Sequence, residues 1–307
     1  MPSIARAVSL EPGASLRLDR YVAENMQALS RSQIKARALV AKVNGKAAKI
    51  SQPVKNGDFL EISWNEACIE NLIPENISLK ILNEDARTIV INKRQGMVVH
   101  PGAGNRSGTL ANALLYRMLK RDCAPPGALG IRPGIVHRLD KDTSGVMIAA
   151  YDEEAHAFLS AQFKSRSAKK KYIAIVKGIP PQAKARIETC IARDPRDRKR
   201  FAVAARGKAA ITSYSVLKTW RSHSLLLLRP KTGRTHQLRV HLRHIGCPIL
   251  GDPIYGRKDT LFPDATLMLH ARSLAIALPS EPGEPSEFKA PAPRRFAEII
   301  RRLDAEL

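Results

Sequence analysis

Residues 132–145 read RPGIVHRLDKDTSG, and they run straight into the apolar stretch VMIAAYD (146–152). Gly134 and Gly145 bracket a segment too polar for a core element, while TSGVMIAAYD (143–152) reads as a strand. A charged loop therefore feeds directly into the interior. Working outward, EEAHAFLSAQFKS (153–165) has helical spacing and KYIAIVKG (171–178) reads as a strand ending at Gly178. Further on, ITSYSVLKTW (211–220) and HSLLLLRP (223–230) form an expected strand pair. HQLRVHLRHIG (236–246) is a short helix closed by Gly246, LMLHARSLAIAL (267–278) a strand, and RRFAEIIRRLDAEL (294–307) a last helix. Upstream, ARTIVIN (86–92) and MVVH (97–100) read as strands about a turn at Gln95-Gly96. TLANALLYRMLKR (109–121) is a helix with Leu110, Leu114 and Leu115 on one side. Strands dominate and helices are interspersed irregularly, which predicts an α+β domain with a mixed, mostly antiparallel sheet over residues 81–307.

The first 62 residues form a separate pattern. Leu16, Leu18, Tyr21 and Val22 begin one helix; a second follows in SRSQIKARALVAKVNGK, with Ser30 or Ser32 as cap. Asn44-Gly45 and Asn56-Gly57 are turn dipeptides, and VKNGDFLEI (54–62) turns into a strand. Arg31, Lys35 and Arg37 lie on the second helix. Two helices feeding a hairpin, with cations along the second, resemble the S4 RNA-binding module over residues 15–62. Residues 63–80 are more acidic, without periodicity, and read as a linker.

Composition narrows the partner. The 307 residues hold 51 Lys and Arg against 28 Asp and Glu, a formal charge of +23. That excess is uneven: residues 160–250 carry 22 basic and 3 acidic side chains, whereas residues 1–62 carry 10 and 5. Concentrated positive charge implies a facing polyanion, with nucleic acid ahead of anionic membrane. No apolar run approaches the ~18 residues of a membrane span, and MPSIARAVSLEPG lacks a signal-peptide core. The cytoplasm is the expected compartment. Cysteines at 68, 123, 190 and 247 form no CxxC pair, so neither a disulfide framework nor a cysteine zinc clamp is indicated.

Familiar catalytic patterns fail. GAGNRSG (102–108) spaces its glycines as GxGxxxG, and no P-loop, GxSxG or HExxH occurs. His236, His241, His244 and Cys247 are candidate zinc ligands, but His236 and His241 fall on different faces of a helix packed with arginine, so no metal is expected. What remains is Asp140, between Arg138 and Lys141. Asp140 or Asp142 could simply cap the local turn. Alternatively, a carboxylate kept ionised by a nearby arginine is a competent nucleophile or electrostatic stabiliser. RPKTGRTHQLRVHLRH (229–244) could supply that arginine.

HRLDKDTSG resembles the signature of the RluA family of pseudouridine synthases, KKYIAIVKG (170–178) its second element and TGRTHQLRVHLRHIGCPILGDPIYG (232–256) its third. VVHPGAGNRSGTLANALL (98–115) is most similar to the ribosomal large-subunit synthase D branch, which an S4-like module also fits. The resemblance implies isomerisation of uridine to pseudouridine in 23S ribosomal RNA, at the helix 69 stem-loop; nothing leaves or enters overall, so neither nucleotide nor redox cofactor is needed. No dimer seam is evident in the sequence, and a monomer is expected. Transfer RNA, another 23S site, or a non-catalytic role in ribosome assembly are the alternatives. It implies that Asp140 acts at the ribose, by adding to C1′ or by taking the C2′ proton. Arg239 would pair with Asp140 and hold it ionised. Tyr172 would stack on the flipped uracil and is a candidate for the last proton transfer. Arg138 would fill the space the base leaves, with His137, Arg234 and His236 contacting RNA.

Overall fold

The computed structural model describes residues 2–26, 28–29, 34, 38–65, 72–102, 104–121, 133–197 and 199–305. They fall into two compact units, residues 1–71 and 72–307.

In the first unit β1 (Ser3–Ala7) pairs with β6 (Phe59–Ser63), which pairs with β3 (Val40–Val43) and through it with β4 (Lys46–Ala48). Asn44 and Gly45, at φ 50° and 76°, make the two-residue turn between β3 and β4. Both central residues are left-handed, as a twisted hairpin requires, which is why Asn-Gly marks it in sequence. β2 (Ser15–Arg17) and β5 (Pro53–Lys55) form a second small ladder. Helix α1 (Leu18–Glu24) buries Leu18, Tyr21 and Val22 against Val54, Leu60 and Ile62. Ile34 and Leu39 are buried in the same core. The expected second helix does not continue to Lys46: Val40–Val43 is strand β3, alternating exposed and buried residues with Val40 in solvent, as a half-buried strand does. Residues 30–33 and 35–37, with Arg31, Lys35 and Arg37, lie outside the described residues.

The second unit is built on a ten-stranded mixed sheet. Its chain order runs β7 (Ile81–Glu84), β8 (Thr88–Lys93), α2 (Leu110–Lys120), β9 (Ser144–Ala150), α3 (Glu153–Ser165) and β10 (Lys169–Lys177). After these come β11 (Lys184–Arg193), β12 (Phe201–Val203), β13 (Lys208–Thr219), β14 (His223–Pro230), α4 (Gln237–His244), β15 (Leu269–Leu278), β16 (Glu281–Lys289) and α5 (Arg294–Ala305). Every ladder is antiparallel except β15 with β9, a short parallel contact at His270↔Ser144 and Ala271↔Gly145. β9 is buried along its whole length. Met147 and Ala149 face the cluster of Leu110, Leu114 and Met118 on α2, while Val146, Ile148 and Ala150 face Ala155 and Leu159 on α3. A strand covered on both faces shows no polar alternation, which explains the unbroken apolar run after the charged loop.

MVVH is a correction to the strand reading. Met97 and Val99 are buried, but residues 97–100 belong to no strand. Val98 and Val99 carbonyls accept from the Leu110 and Ala111 amides at 2.9 and 3.0 Å, and the Met97 carbonyl accepts from the Lys93 ammonium. Backbone groups that a sheet would use are taken by the first turn of α2 and by a lysine. β7, β11, β12 and β16 were not evident in sequence. β16 (EPGEPSEFK) is an exposed edge strand rich in Pro and Gly, so it has no inward apolar row to mark it. Among the described residues no helix is long and apolar enough to cross a membrane.

Candidate active site

The charged loop is placed by its two glycines. At Gly134 (φ 64°) a Cβ would lie 2.0 Å from the Ala150 carbonyl oxygen. At Gly145 (φ 122°) it would lie 2.2 Å from that of Ala271. Both ends of the loop thus press backbone against backbone, where only hydrogen fits. Between them Lys93, 1% exposed at the end of β8, donates to the carbonyls of Arg94, Met97 and Lys141 at 3.1, 2.8 and 3.0 Å. Its burial lowers the ammonium pKa to about 7, against the opposing pull of the Asp140 and Asp142 charges.

This loop forms one wall of a cleft of about 520 Å³. β10, the residues after β14 and the start of α4 supply the rest. Seven lining residues are cations: Arg138, Lys164, Arg166 and Lys170, and then Lys231, Arg234 and Arg239. Asp140 is the only acid among the described lining residues. Tyr172 leaves β10 beside a bulge at Lys171/Tyr172, opposite Ala271, and turns into the cleft. Burial, and the Asp140 charge next, push its phenol pKa up. Asp140 has a side chain 22% exposed, accepts no hydrogen bond among the described residues, and lies 3.6 Å from Arg239 Nη1.

Arg239 meets Asp140 in a loose ion pair, Nη1 to Oδ2 at 3.6 Å. Its close partner, which the sequence did not suggest, is Asp252: Nε and Nη2 donate to the two carboxylate oxygens, each at 2.7 Å. The Asp252 carboxyl is completely enclosed, and Oδ1 also accepts the Ile254 and Tyr255 amides at 2.9 Å. The Tyr255 ring lies under the guanidinium, 5.1 Å from its centroid to Cζ.

The structure brings the other expected residues into the same cleft, in different states. Arg138 is exposed and makes no hydrogen bond or ion pair among the described residues. His137 stacks on Phe163 at 4.4 Å, and its Nε2 accepts from the Ile148 amide. Burial, with the Lys170 charge, lowers its pKa to about 3, so it stands as a neutral prop of the loop. His236, left-handed at φ 54°, hydrogen-bonds the Tyr255 hydroxyl at 2.9 Å, and burial lowers its pKa. Arg234 donates to the Ala209 carbonyl at 3.0 Å. His241, considered as a metal ligand, sits between Thr189 and Thr212. Sequence reasoning missed Lys93, Asp252 and Tyr255, although the last two stand in GDPIYG (251–256).

The RNA pseudouridylate synthase family matches residues 87–244, from before β8 through α4. The chain is 45% identical over 289 residues to the ribosomal large subunit pseudouridine synthase D of Borreliella burgdorferi, covering 92% of this chain and 88% of that one. It belongs to the RluA family of RNA pseudouridine synthases. The namesake of Haemophilus influenzae is 37% identical over 322 residues, covering 100% of this chain and 97% of that one. Among solved structures, human RNA pseudouridylate synthase domain containing 4 superposes with a TM-score of 0.59 at 29% identity. That match covers 73% of this chain and 93% of the human one. The synthase is therefore an isomerase acting on uridine in RNA, and its catalytic unit has the mixed, mostly antiparallel sheet expected from dominant strands with irregularly interspersed helices.

Proposed function

We propose that this synthase isomerises uridines of 23S ribosomal RNA, in the helix 69 stem-loop, with Asp140 acting on the ribose. The ribosomal substrate is supported by the names of the relatives from Borreliella burgdorferi and Haemophilus influenzae. The role of Asp140 is supported by one observation above the rest: it is the only described acid in a cleft lined by seven cations, and its side-chain oxygens accept no hydrogen bond among the described residues. Cations attract the phosphates, and a carboxylate without hydrogen bonds is reactive toward a sugar carbon or its neighbouring proton.

The uracil leaves its stack at a cost of a few kcal/mol. Exposed Arg138 fills the vacated place, and Tyr172 presents its ring to the flipped base. Asp140 promotes cleavage of the N1–C1′ bond. The freed base turns, C5 bonds to C1′, the C5 proton is lost and N1 gains one, so product and substrate have the same atoms. Tyr172, with its phenol pKa raised, stands protonated at neutral pH; it holds the base rather than serving as a standing base for the C5 proton. The N-terminal unit, with its Asn-Gly hairpin, adds affinity as an S4-like RNA module.

The test is pseudouridine mapping, through a bulky uridine-directed adduct, of RNA from cells lacking the protein and from cells restored with wild type or Asp140→Asn. Loss of helix 69 pseudouridines, returned by wild type and not by the variant, is expected. Loss at transfer RNA or at another 23S position would move the substrate; restoration by the variant would remove Asp140 from the chemistry.

A further inference from the structure

GDPIYG (251–256) ends the third motif, yet no atom of its Asp252 lines the cleft. We propose that Asp252 is a positioning residue: by taking the guanidinium of Arg239 it keeps the Asp140 carboxylate loosely held and free to react. The inference rests on the role given above to Asp140.

The geometry of Arg239 carries it. A guanidinium binds a carboxylate best through two parallel hydrogen bonds, and Asp140 stands close enough to receive them after a small movement. The pair that exists is with Asp252 instead, at 2.7 Å on both arms. The Tyr255 ring occupies a face of the same guanidinium, and its hydroxyl is tied to His236 at 2.9 Å and to the Phe201 amide at 2.8 Å. Only the Nη1 end is left toward Asp140, and 3.6 Å is beyond hydrogen-bond length.

Asp252 cannot follow Arg239 toward the cleft. Its Oδ1 caps the turn through the Ile254 and Tyr255 amides. The turn is in turn pinned at Gly251 (φ 72°), where a Cβ would lie 2.3 Å from the Thr266 carbonyl oxygen. Asp140 thus faces a cation already neutralised by a fixed partner. It meets the outer edge of an ion pair, and among the described residues no hydrogen bond occupies the lone pairs it needs. Without Asp252, Arg239 would close on Asp140 in a bidentate pair and blunt it.

Asp252→Asn and Asp252→Ser each keep an oxygen for the turn amides and remove the charge. With a uridine-containing stem-loop RNA, kcat per folded enzyme is expected to fall about ten-fold or more while KM stays within about three-fold. Asp252→Glu, which restores the charge, is expected to recover part of kcat. Because Asp252 acts through Arg239, the double variant Asp252→Asn/Arg239→Lys should be no slower than Arg239→Lys alone within about two-fold. Wild-type kcat in the Ser variant, a rise in KM alone, or losses that simply multiply would overturn the proposal. A measurement on the unaltered enzyme stands even where the variants do not fold: crystallised with the same RNA, the wild type should keep both Arg239–Asp252 bonds, and an Arg239 that has left Asp252 for Asp140 refutes it. Failure of the underlying reading shows separately, as product formation by Asp140→Asn.

Discussion

Two aspartates face one arginine, and the loops that carry them are built in opposite ways. The loop from 251 to 256 spends its carboxylate completely: Asp252 is enclosed and accepts four hydrogen bonds, two from Arg239 and two from its own turn. The loop from 134 to 145 spends none of its own. It is held by a buried lysine on three carbonyls, by a neutral histidine on a strand amide and by two glycines pressed on neighbouring strands, and among the described residues the Asp140 side chain accepts no hydrogen bond. Hydrogen bonds that lower a carboxylate's energy engage the lone pairs it would react with. Under the role proposed for Asp140, the molecule divides the two jobs between loops.

Four experiments break or sharpen that contrast. The largest effect is a crossed one. Asp140→Asn should abolish product while changing RNA affinity only a few-fold and leaving the melting temperature nearly unmoved. Asp252→Asn should lower stability, by at most the ~3–5 kcal/mol of a broken buried pair and by less if Arg239 finds Asp140. Calorimetry beside a turnover assay reads both, and equal stability losses in the two variants would erase the distinction. Next, Tyr172→Ala removes the ring proposed to face the base. Stacking worth ~1–3 kcal/mol predicts a fall of roughly 5- to 150-fold in kcat/KM, and an unchanged value would show that the base does not meet this face.

The third concerns the lysine under the Asp140 loop. Unfolded, Lys93 keeps its proton to about pH 10.4; folded, it releases it near 7. Between those values the unfolded chain binds more protons, so stability contributed through this residue rises with pH, by up to ~1.4 kcal/mol per unit. Urea unfolding of wild type and Lys93→Met should therefore diverge steadily from pH 7 upward, in favour of wild type, and run parallel below it. Parallel curves throughout would show a lysine that keeps its charge when folded. The smallest effect is at the rim: Lys231→Ala should reduce the slope of log affinity against log salt by about 0.7–0.9 and leave kcat unchanged. An unaltered slope would mean that Lys231 touches no phosphate.

Much of this was legible in the chain itself. Asn44-Gly45 announced its hairpin, because both residues tolerate the left-handed backbone that the turn demands. The spacing of Leu110, Leu114 and Leu115 announced α2, which Thr109 caps through Asn112. Arg138, Asp140, Tyr172, Arg234, His236 and Arg239 were named from their motifs, and the fold gathers them in one cleft. MVVH misled because alternating apolar residues report burial, while the hydrogen bonds of their backbone are decided elsewhere. Lys93 gave no local sign: a lysine at a strand end normally reaches for water.

From the sequence alone came the charged loop between two glycines, the apolar strand behind it and the excess of cations in 160–250. These are local patterns or counts, and local physics reads them. Which carboxylate holds Arg239 was decided by tertiary structure. Asp252 is 13 residues from Arg239 and Asp140 is 99 away, yet both reach its guanidinium, and the nearer pairing wins because a turn and the Thr266 carbonyl fix it in place.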